Sequence, residues 1–404
     1  MLSVYLRHDF PSLGSFRSYL DTARVGLMPS IARDEAVRRL IEYHANPLAK
    51  IEEALWRYEH LKKGLARLLG ASSQRNITLM GSTTSCIARS VGSILVSRLA
   101  SDRIPLRVAV TIHGYPGVAR AVKSLCRSLR GACADFSIVG RSGSPGWEED
   151  AIEWFDEAPG VLVASSVEWV TGYVPRLESV AVAARKADGF LVVDGAQQTG
   201  HIPLDLSGIG LDVLCTTSRK WLLNPLSGLG IGYVSDRLIR SIEPYIVGQH
   251  NVKADPSGLC DPAGPRLVDE LRDDADRFMS ISRPTVFSID VANIVVEYLL
   301  SISPDAVKDH VLALRKILED LAVDKKLGVA LADENFDRKS GIALIETGLP
   351  PAKTMEVCKA LSRRGVAVSC RGQAGFHGIR ASMHIYNNEA DIQVFIDELA
   401  RAMR

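Results

Sequence analysis

Val192-Val-Asp-Gly-Ala-Gln-Gln-Thr-Gly-His201, followed by Asp212-Val-Leu-Cys-Thr-Thr-Ser-Arg-Lys-Trp-Leu-Leu-Asn-Pro225, is the stretch on which the fold turns. It holds two short strand-like runs, Phe190-Leu-Val-Val193 and Asp212-Val-Leu-Cys-Thr216. Working outward, the same kind of run recurs at Asn76–Met80, Arg107–Ile112, Gly160–Ser165 and Leu229–Val234. Helical spacing lies between several of them, at Ser85–Leu99, Gly117–Leu129 and Glu178–Lys186. Short apolar strands joined by helices predict an α/β fold with a mostly parallel sheet covered on both faces. Apolar residues from Arg33 to Leu69 predict two further helices, broken near Asn46-Pro47.

Beyond the sheet pattern the chain changes character. Residues 250–268 are rich in Pro, Gly, Asp and Lys and read as a loop. Ser288–Ile302 and Asp305–Ala322 read as helices. Strand–helix–strand–strand–helix order then follows from Gly341 to the end, which predicts a smaller α+β domain. The expected division is a large domain over 16–287, and a small domain formed by 1–15 and 288–404.

Composition excludes several classes. The 404 residues carry 48 Lys plus Arg against 47 Asp plus Glu, so the formal charge of +1 offers no footprint for nucleic acid or an anionic membrane. With 47% hydrophobic and 24% charged residues the chain is neither disordered nor fibrous. The best apolar stretch, Val291–Leu300, is short and contains Glu297, so no transmembrane helix is expected. Met1–Gly14 carries Arg7, His8 and Asp9 where a secretory signal needs apolar residues. The 7 Cys include no C-x-x-C pair and form no disulfide framework, which points to a reducing, cytoplasmic setting. The 9 His lack zinc-ligand spacing, so no metal is expected.

Asp194 ends a buried strand, where open α/β sheets bind ligands. Lys220 ends the next strand-like run. The pair suits pyridoxal phosphate: the amine forms a Schiff base with the aldehyde, and the carboxylate keeps the pyridine nitrogen protonated so that the ring can accept electrons. Gln197 lies between them, within reach of the ring oxygen. Taken singly, Asp194 also reads as a helix cap and Lys220 as a loop lysine. Gly81-Ser-Thr-Thr84 lies between a strand and a helix, where N–H groups and the helix dipole meet an anion. It is equally an N-cap.

With its flanks, this pattern resembles the class V aminotransferase family of fold-type I pyridoxal-phosphate enzymes, which includes cysteine desulfurases, isopenicillin N epimerase and kynureninase. The resemblance runs from Tyr19-Leu-Asp-Thr-Ala-Arg-Val-Gly26 to Arg380-Ala-Ser-Met-His-Ile-Tyr-Asn-Asn388. It implies a seven-stranded type of sheet, pyridoxal phosphate as cofactor, and a homodimer with the site at the interface. By the match, Lys220 is the Schiff-base lysine, Asp194 the pyridinium partner, and Gln197 a contact to the ring oxygen. Thr83 and Thr84 fall in the phosphate turn. Ser218 and Arg219 precede the lysine, with Arg219 where the family often has His. Tyr115 is the expected ring-stacking residue and His113 the second choice, although a turn tyrosine with a wet hydroxyl explains Tyr115 as well. Arg380, in Arg-x-Ser before Tyr-Asn, is the expected carboxylate ligand, with Arg371 a second substrate contact. Ser282 matches a Thr that reaches a neighbouring subunit's phosphate, without the family's Glu and Gly. Glu168 falls near an Asn position beneath the cofactor; it reads as a second acid/base group, a substrate contact or an ordinary paired carboxylate.

The implied activity is amino-acid chemistry through an external aldimine, with Lys220 as proton shuttle. Transamination or a related C–S or C–C lyase reaction comes first, and epimerisation or racemisation second. Longer-loop desulfurases carry a nucleophilic Cys between the two C-terminal arginine positions, whereas Gly372–Ile379 contains none. Gly228-Leu-Gly-Ile-Gly232 imitates a dinucleotide fingerprint but continues as strand. A non-catalytic scaffold or regulator of the same fold would tolerate Arg219 and Glu168, but gives no reason to retain both Lys220 and Asp194.

Overall fold

A computed structural model describes residues 6–101, 104–226, 228–253, 270–279, 284–331 and 338–403, without the side chains of 49–52. The first strand, β1 (Ser18–Tyr19), belongs to a small two-stranded sheet near the C-terminal part. The large sheet comprises β2 (Ile77–Met80), β3 (Leu106–Thr111), β4 (Cys133–Val139), β5 (Gly160–Ser165), β6 (Phe190–Asp194), β7 (Val213–Thr217) and β8 (Gly230–Val234). Its seven strands lie in the order β2-β8-β7-β6-β5-β3-β4. All pairings are parallel except those of β8, which runs opposite to both β2 and β7. The reversal makes β7–β8 an antiparallel pair, and Lys220 sits in the loop that joins them.

Every residue of β2, β5, β6, β7 and β8 is buried. Helices Thr83–Ala100 and Pro116–Ser128 cover one face, packing Ile87, Val91, Val118 and Val122 on Val108, Val163, Val192 and Val213. Helices Pro47–Leu68, Glu148–Glu157 and Leu177–Lys186 cover the other, around Leu79, Leu162, Leu191 and Leu214. Each such side chain contributes about 1.5–3 kcal/mol relative to exposure. On the first face, Cys86 of the helix Thr83–Ala100 and Cys215 of β7 come into disulfide contact, Cα to Cα 5.9 Å.

The C-terminal part has a four-stranded antiparallel sheet, β12-β13-β10-β9. Its strands are β9 (Gly328–Val329), β10 (Ile342–Glu346), β12 (Ser369–Gln373) and β13 (Phe376–Ser382); β11 (Val366–Ala367) pairs instead with β1. Helices Pro304–Asp324, Pro351–Arg363 and Glu389–Ala402 bury Leu314, Leu318, Leu361, Phe395 and Leu399 on it. Helix Val286–Ile302 packs instead on Ser30–Ala45 and Pro47–Leu68, so its core joins that of the large sheet. The N-terminal segment is tied to the small sheet by β1–β11, by the Asp21–Ser382 bridge and by Arg7, whose guanidinium holds Asp391 at 2.6 and 3.0 Å. Among the described residues no single helix is long and apolar enough to cross a membrane.

Candidate active site

A cavity of about 530 Å³ opens at the carboxyl edge of the large sheet, under the small sheet. Parallel strands deliver their loops to this edge, the usual place for ligands in such sheets. Asp194 ends β6, Gly81–Thr84 follows β2, Tyr115 follows β3, Val167 and Trp169 follow β5, and Lys220 lies beyond β7; all line the cavity. Arg371 of β12 and Arg380 of β13 reach it from above, and Ala23 and Arg24 from the N-terminal segment.

The Lys220 loop is held on several sides. Trp221 is fully buried, and its ring stacks on His201 at 3.6 Å. Its Nε1–H donates to Gln197 Oε1 at 2.8 Å. His384 Nδ1 accepts the Ile385 N–H, so Nε2 carries the hydrogen and donates to the Trp221 carbonyl at 2.9 Å. The Gly26 N–H donates to the Arg219 carbonyl, and a Cβ at Gly26 would lie 1.9 Å from the Lys220 carbonyl oxygen. Only glycine allows this approach. The Lys220 amine is pushed down to about 8 by burial, aided by Arg380, Arg219 and Arg371 and opposed by Asp194.

Asp194 is buried, and burial raises its carboxyl above the usual range against the pull of the Ala196 N–H and Lys220. Among the described residues the one hydrogen bond to its carboxyl comes from Ala196 N–H to Oδ1, 2.9 Å. A buried carboxylate so weakly satisfied calls for a cationic partner, which a protonated pyridine nitrogen supplies. At the anion end, the capping residue is Ser82: it accepts from the Ser85 N–H at 3.1 Å, while the Ser85 hydroxyl accepts from the Ser82 N–H at 3.0 Å. Thr83 and Thr84 therefore begin the helix, where N–H groups have no intrahelical partner and meet an anion with the dipole. Arg219 adds a cation to the cavity lining. The residues present fit pyridoxal phosphate: Thr83, Thr84 and Arg219 would hold its phosphate, and Asp194 would pair with its ring nitrogen.

The other expected residues divide. Gln197 lines the cavity, but its amide is committed largely to the scaffold, donating to the Ala23 carbonyl at 3.1 Å and accepting from Trp221. Tyr115 lines the cavity half-exposed, edge-on to Trp169 at 5.6 Å. His113 lies behind it, buried, with Nε2 on the Ser144 carbonyl at 2.7 Å. Ser218 is buried and off the cavity wall, its backbone N–H closing the loop onto Leu229. Glu168 is also off the wall: its Oε2 accepts from the Thr171 hydroxyl at 2.8 Å and lies 3.9 Å from His113 Nδ1. Burial holds that carboxyl well above the usual range. The alternation along this segment instead turns Trp169 to the cavity, a residue that sequence reading passed over although it adjoins Glu168. Trp169 Nε1–H donates to Gln373 Oε1 at 2.6 Å, and Gln373 Nε2 donates to the Ile112 and Gly114 carbonyls. Ser282 lies outside the described residues.

Arg380 is fully buried, with Nη1 donating to the Trp169 carbonyl at 2.8 Å and Nη2 to Asp21 Oδ1 at 3.4 Å. Asp21 is itself held by the Ser369 hydroxyl at 2.7 and 2.9 Å. Burial brings the guanidinium down to about 10, so it remains charged where it lines the cavity.

Known proteins share this arrangement of chain. A probable cysteine desulfurase of Aeropyrum pernix is 25% identical, with 98% of this chain and 96% of the relative covered. The solved cysteine desulfurase of Thermococcus onnurineus superposes with a TM-score of 0.78 at 18% identity, covering 98% of this chain and 96% of that one. The cystine C–S lyase C-DES, solved with its reaction product cysteine persulfide, gives 0.80 at 17% identity, covering 97% and 99%. A family model, Aminotransferase class-V, matches residues 18–395, which takes in the N-terminal strand, both sheets and every described residue of the cavity wall. The chain belongs to the class V aminotransferases and is a pyridoxal-phosphate-dependent enzyme.

Proposed function

We propose that the enzyme is a C–S lyase that cleaves the Cβ–S bond of a cysteine-type amino acid by elimination. The observation that carries this reading is a cavity joining Lys220, Asp194 and Arg380 with no cysteine among its described lining residues. Relatives named as cysteine desulfurases and a structural neighbour named as a cystine C–S lyase support sulfur chemistry. A desulfurase that takes sulfur onto its own thiol needs a thiolate at the site. Cys370 lies on β12 off the cavity wall, with its thiol raised by burial, and Cys260 lies outside the described residues.

Pyridoxal phosphate supplies an electron sink for bonds at the substrate α-carbon. Arg380 grips the substrate α-carboxylate and thereby sets which Cα bond faces Lys220. With an amine near 8, Lys220 Nζ takes the α-proton near neutral pH and returns protons later. Asp194 holds the proton on the ring nitrogen. Tyr115 and Trp169 form the wall that limits water.

The test is an amino-acid panel scored separately for thiol or sulfide, ammonia, keto acid and loss of the α-hydrogen. Equimolar thiol, ammonia and keto acid without an added acceptor are expected. Keto acid that appears only with an amino acceptor would make the enzyme an aminotransferase, and α-hydrogen exchange without product an epimerase. Lys220→Ala should lower kcat by about 10²–10⁴-fold, the contribution of a positioned general base.

A further inference from the structure

Besides Arg380 and Arg219 the cavity wall carries two more guanidiniums, those of Arg24 and Arg371. Arg371 projects from β12, one strand over from Arg380 on β13, and the two strands pair with Arg371 opposite Gly378. Gln373, two residues along β12, is pinned to the Ile112 and Gly114 carbonyls and to Trp169, so this strand end is fixed over the cavity. Among the described residues no carboxylate lies within ion-pair distance of Arg371, whose Nη1 donates only to the Cys370 carbonyl at 2.7 Å. Arg24 reaches the same end: Nη1 lies 3.9 Å from Asp21 Oδ2, and Asp21 also serves Arg380. Both Arg24 and Arg371 press the Arg380 guanidinium toward its neutral form, as expected of cations facing it.

At this end of the cavity Arg24 and Arg380 share one described carboxylate, Asp21, and Arg371 has none within ion-pair distance among the described residues. The α-carboxylate of a bound amino acid neutralises one and leaves another in excess. The phosphate has its own donors at the helix start, Thr83 and Thr84. Arg371 and Arg380 over the cavity and Arg24 at its exposed rim repel one another, and a second anion there relieves the repulsion.

We propose that Arg24 and Arg371 form a side-chain subsite for a second acidic group, so that the enzyme selects amino acids whose side chain ends in a carboxylate. This rests on the cavity binding an amino acid at Arg380, and it adds the class of side chain. The charge pair, unlike shape, separates an acid from its amide, which has the same size.

The test uses the holoenzyme and two matched pairs. α-Methyl-L-glutamate and α-methyl-L-glutamine lack the hydrogen that Lys220 removes, so they report binding by calorimetry without turnover. S-carboxymethyl-L-cysteine and S-carbamoylmethyl-L-cysteine report kcat/KM for elimination. The acid should be preferred over the amide by about tenfold or more in both pairs, the scale of a charge-assisted contact. The preference should shrink as salt is raised. Arg371→Gln and Arg24→Gln should each reduce it several-fold, and Arg371→Lys should retain part of it. Acid preference in the α-methyl pair with no elimination from either thioether would leave the subsite standing and remove the lyase reading. Equal binding of acid and amide would overturn the subsite, as would a preference unchanged by salt and by both Gln variants. Failure of both α-methyl compounds to bind would overturn it together with the amino-acid site.

Discussion

At the residue scale, the electrostatics of Lys220 is the most consequential feature of the site. Burial and the facing cations Arg380, Arg219 and Arg371 lower its amine to about 8 from 10.5, and Asp194 works against them. Only the unprotonated amine captures an aldehyde, so loading of the cofactor-free protein with pyridoxal phosphate should accelerate as pH rises through about 8. Arg371→Gln removes a cation and should move that midpoint upward. Asp194→Asn removes an anion and should move it downward. Stopped-flow absorbance across a pH series measures both, and a midpoint indifferent to the two substitutions would show that neither charge reaches the amine. The places of Asp194 and Lys220 were legible because each sits in a local motif after a strand-like run, and that of Arg380 because it opens the motif Arg-Ala-Ser-Met-His-Ile-Tyr-Asn387. Trp169 was not, since nothing in Ser165-Ser-Val-Glu-Trp-Val-Thr-Gly172 says which of two adjacent side chains faces the cavity. Facing is set by the turn after β5, where Glu168 N–H bonds the Tyr173 carbonyl and Gly172 N–H the Glu168 carbonyl.

At the scale of elements, the site depends on backbone approaches that leave no room for a side chain. A Cβ at Gly230 of β8 would meet the Ser82 backbone at 2.7 Å, directly under the anion end of the cavity. Gly230→Ala should displace Ser82, break its exchange with Ser85, and weaken retention of the phosphate. A rise of about tenfold in the cofactor dissociation constant is expected, equivalent to one lost cap or charge-assisted contact. Equilibrium dialysis reads it, and unchanged retention would mean that the turn adapts. Elements with an unbroken local pattern were the readable ones: β5 has six apolar or small residues in a row, and the largely exposed helix Ser30–Ala45 and its successor Pro47–Leu68 break where Asn46-Pro47 predicts. The edge strand β4, Cys133–Val139, escapes because one side is open to solvent and Asp135 interrupts the apolar pattern. Helix Glu148–Glu157 escapes for a related reason, its acidic first turn hiding the buried Ala151, Trp154 and Phe155.

At the scale of the whole molecule, the cavity exists only because three separate pieces of chain meet: the large sheet's carboxyl edge, the small sheet bearing Arg371 and Arg380, and the N-terminal segment bearing Asp21 and Arg24. Asp391 is the main fastening of that segment. It completes the capping box that Asn388 opens on the helix Glu389–Ala402 by accepting from the Asn388 N–H, accepts from Asn387, and receives the two-pronged contact from Arg7. Asp391→Ala should lower stability by about 2 kcal/mol, seen as a lower denaturant midpoint at unchanged slope. Such long-range fastenings, joining residues near both ends of the chain, carry no local signature, whereas the strand–helix alternation that builds the large sheet does. The assembled site makes one demand above all, that the cofactor be carried by Lys220. The purified protein, reduced with borohydride and peptide-mapped, should show visible absorbance before reduction and a pyridoxyl group on Lys220 after it. A colourless protein that pyridoxal phosphate does not reconstitute, or a label on any other lysine, would contradict the assignment.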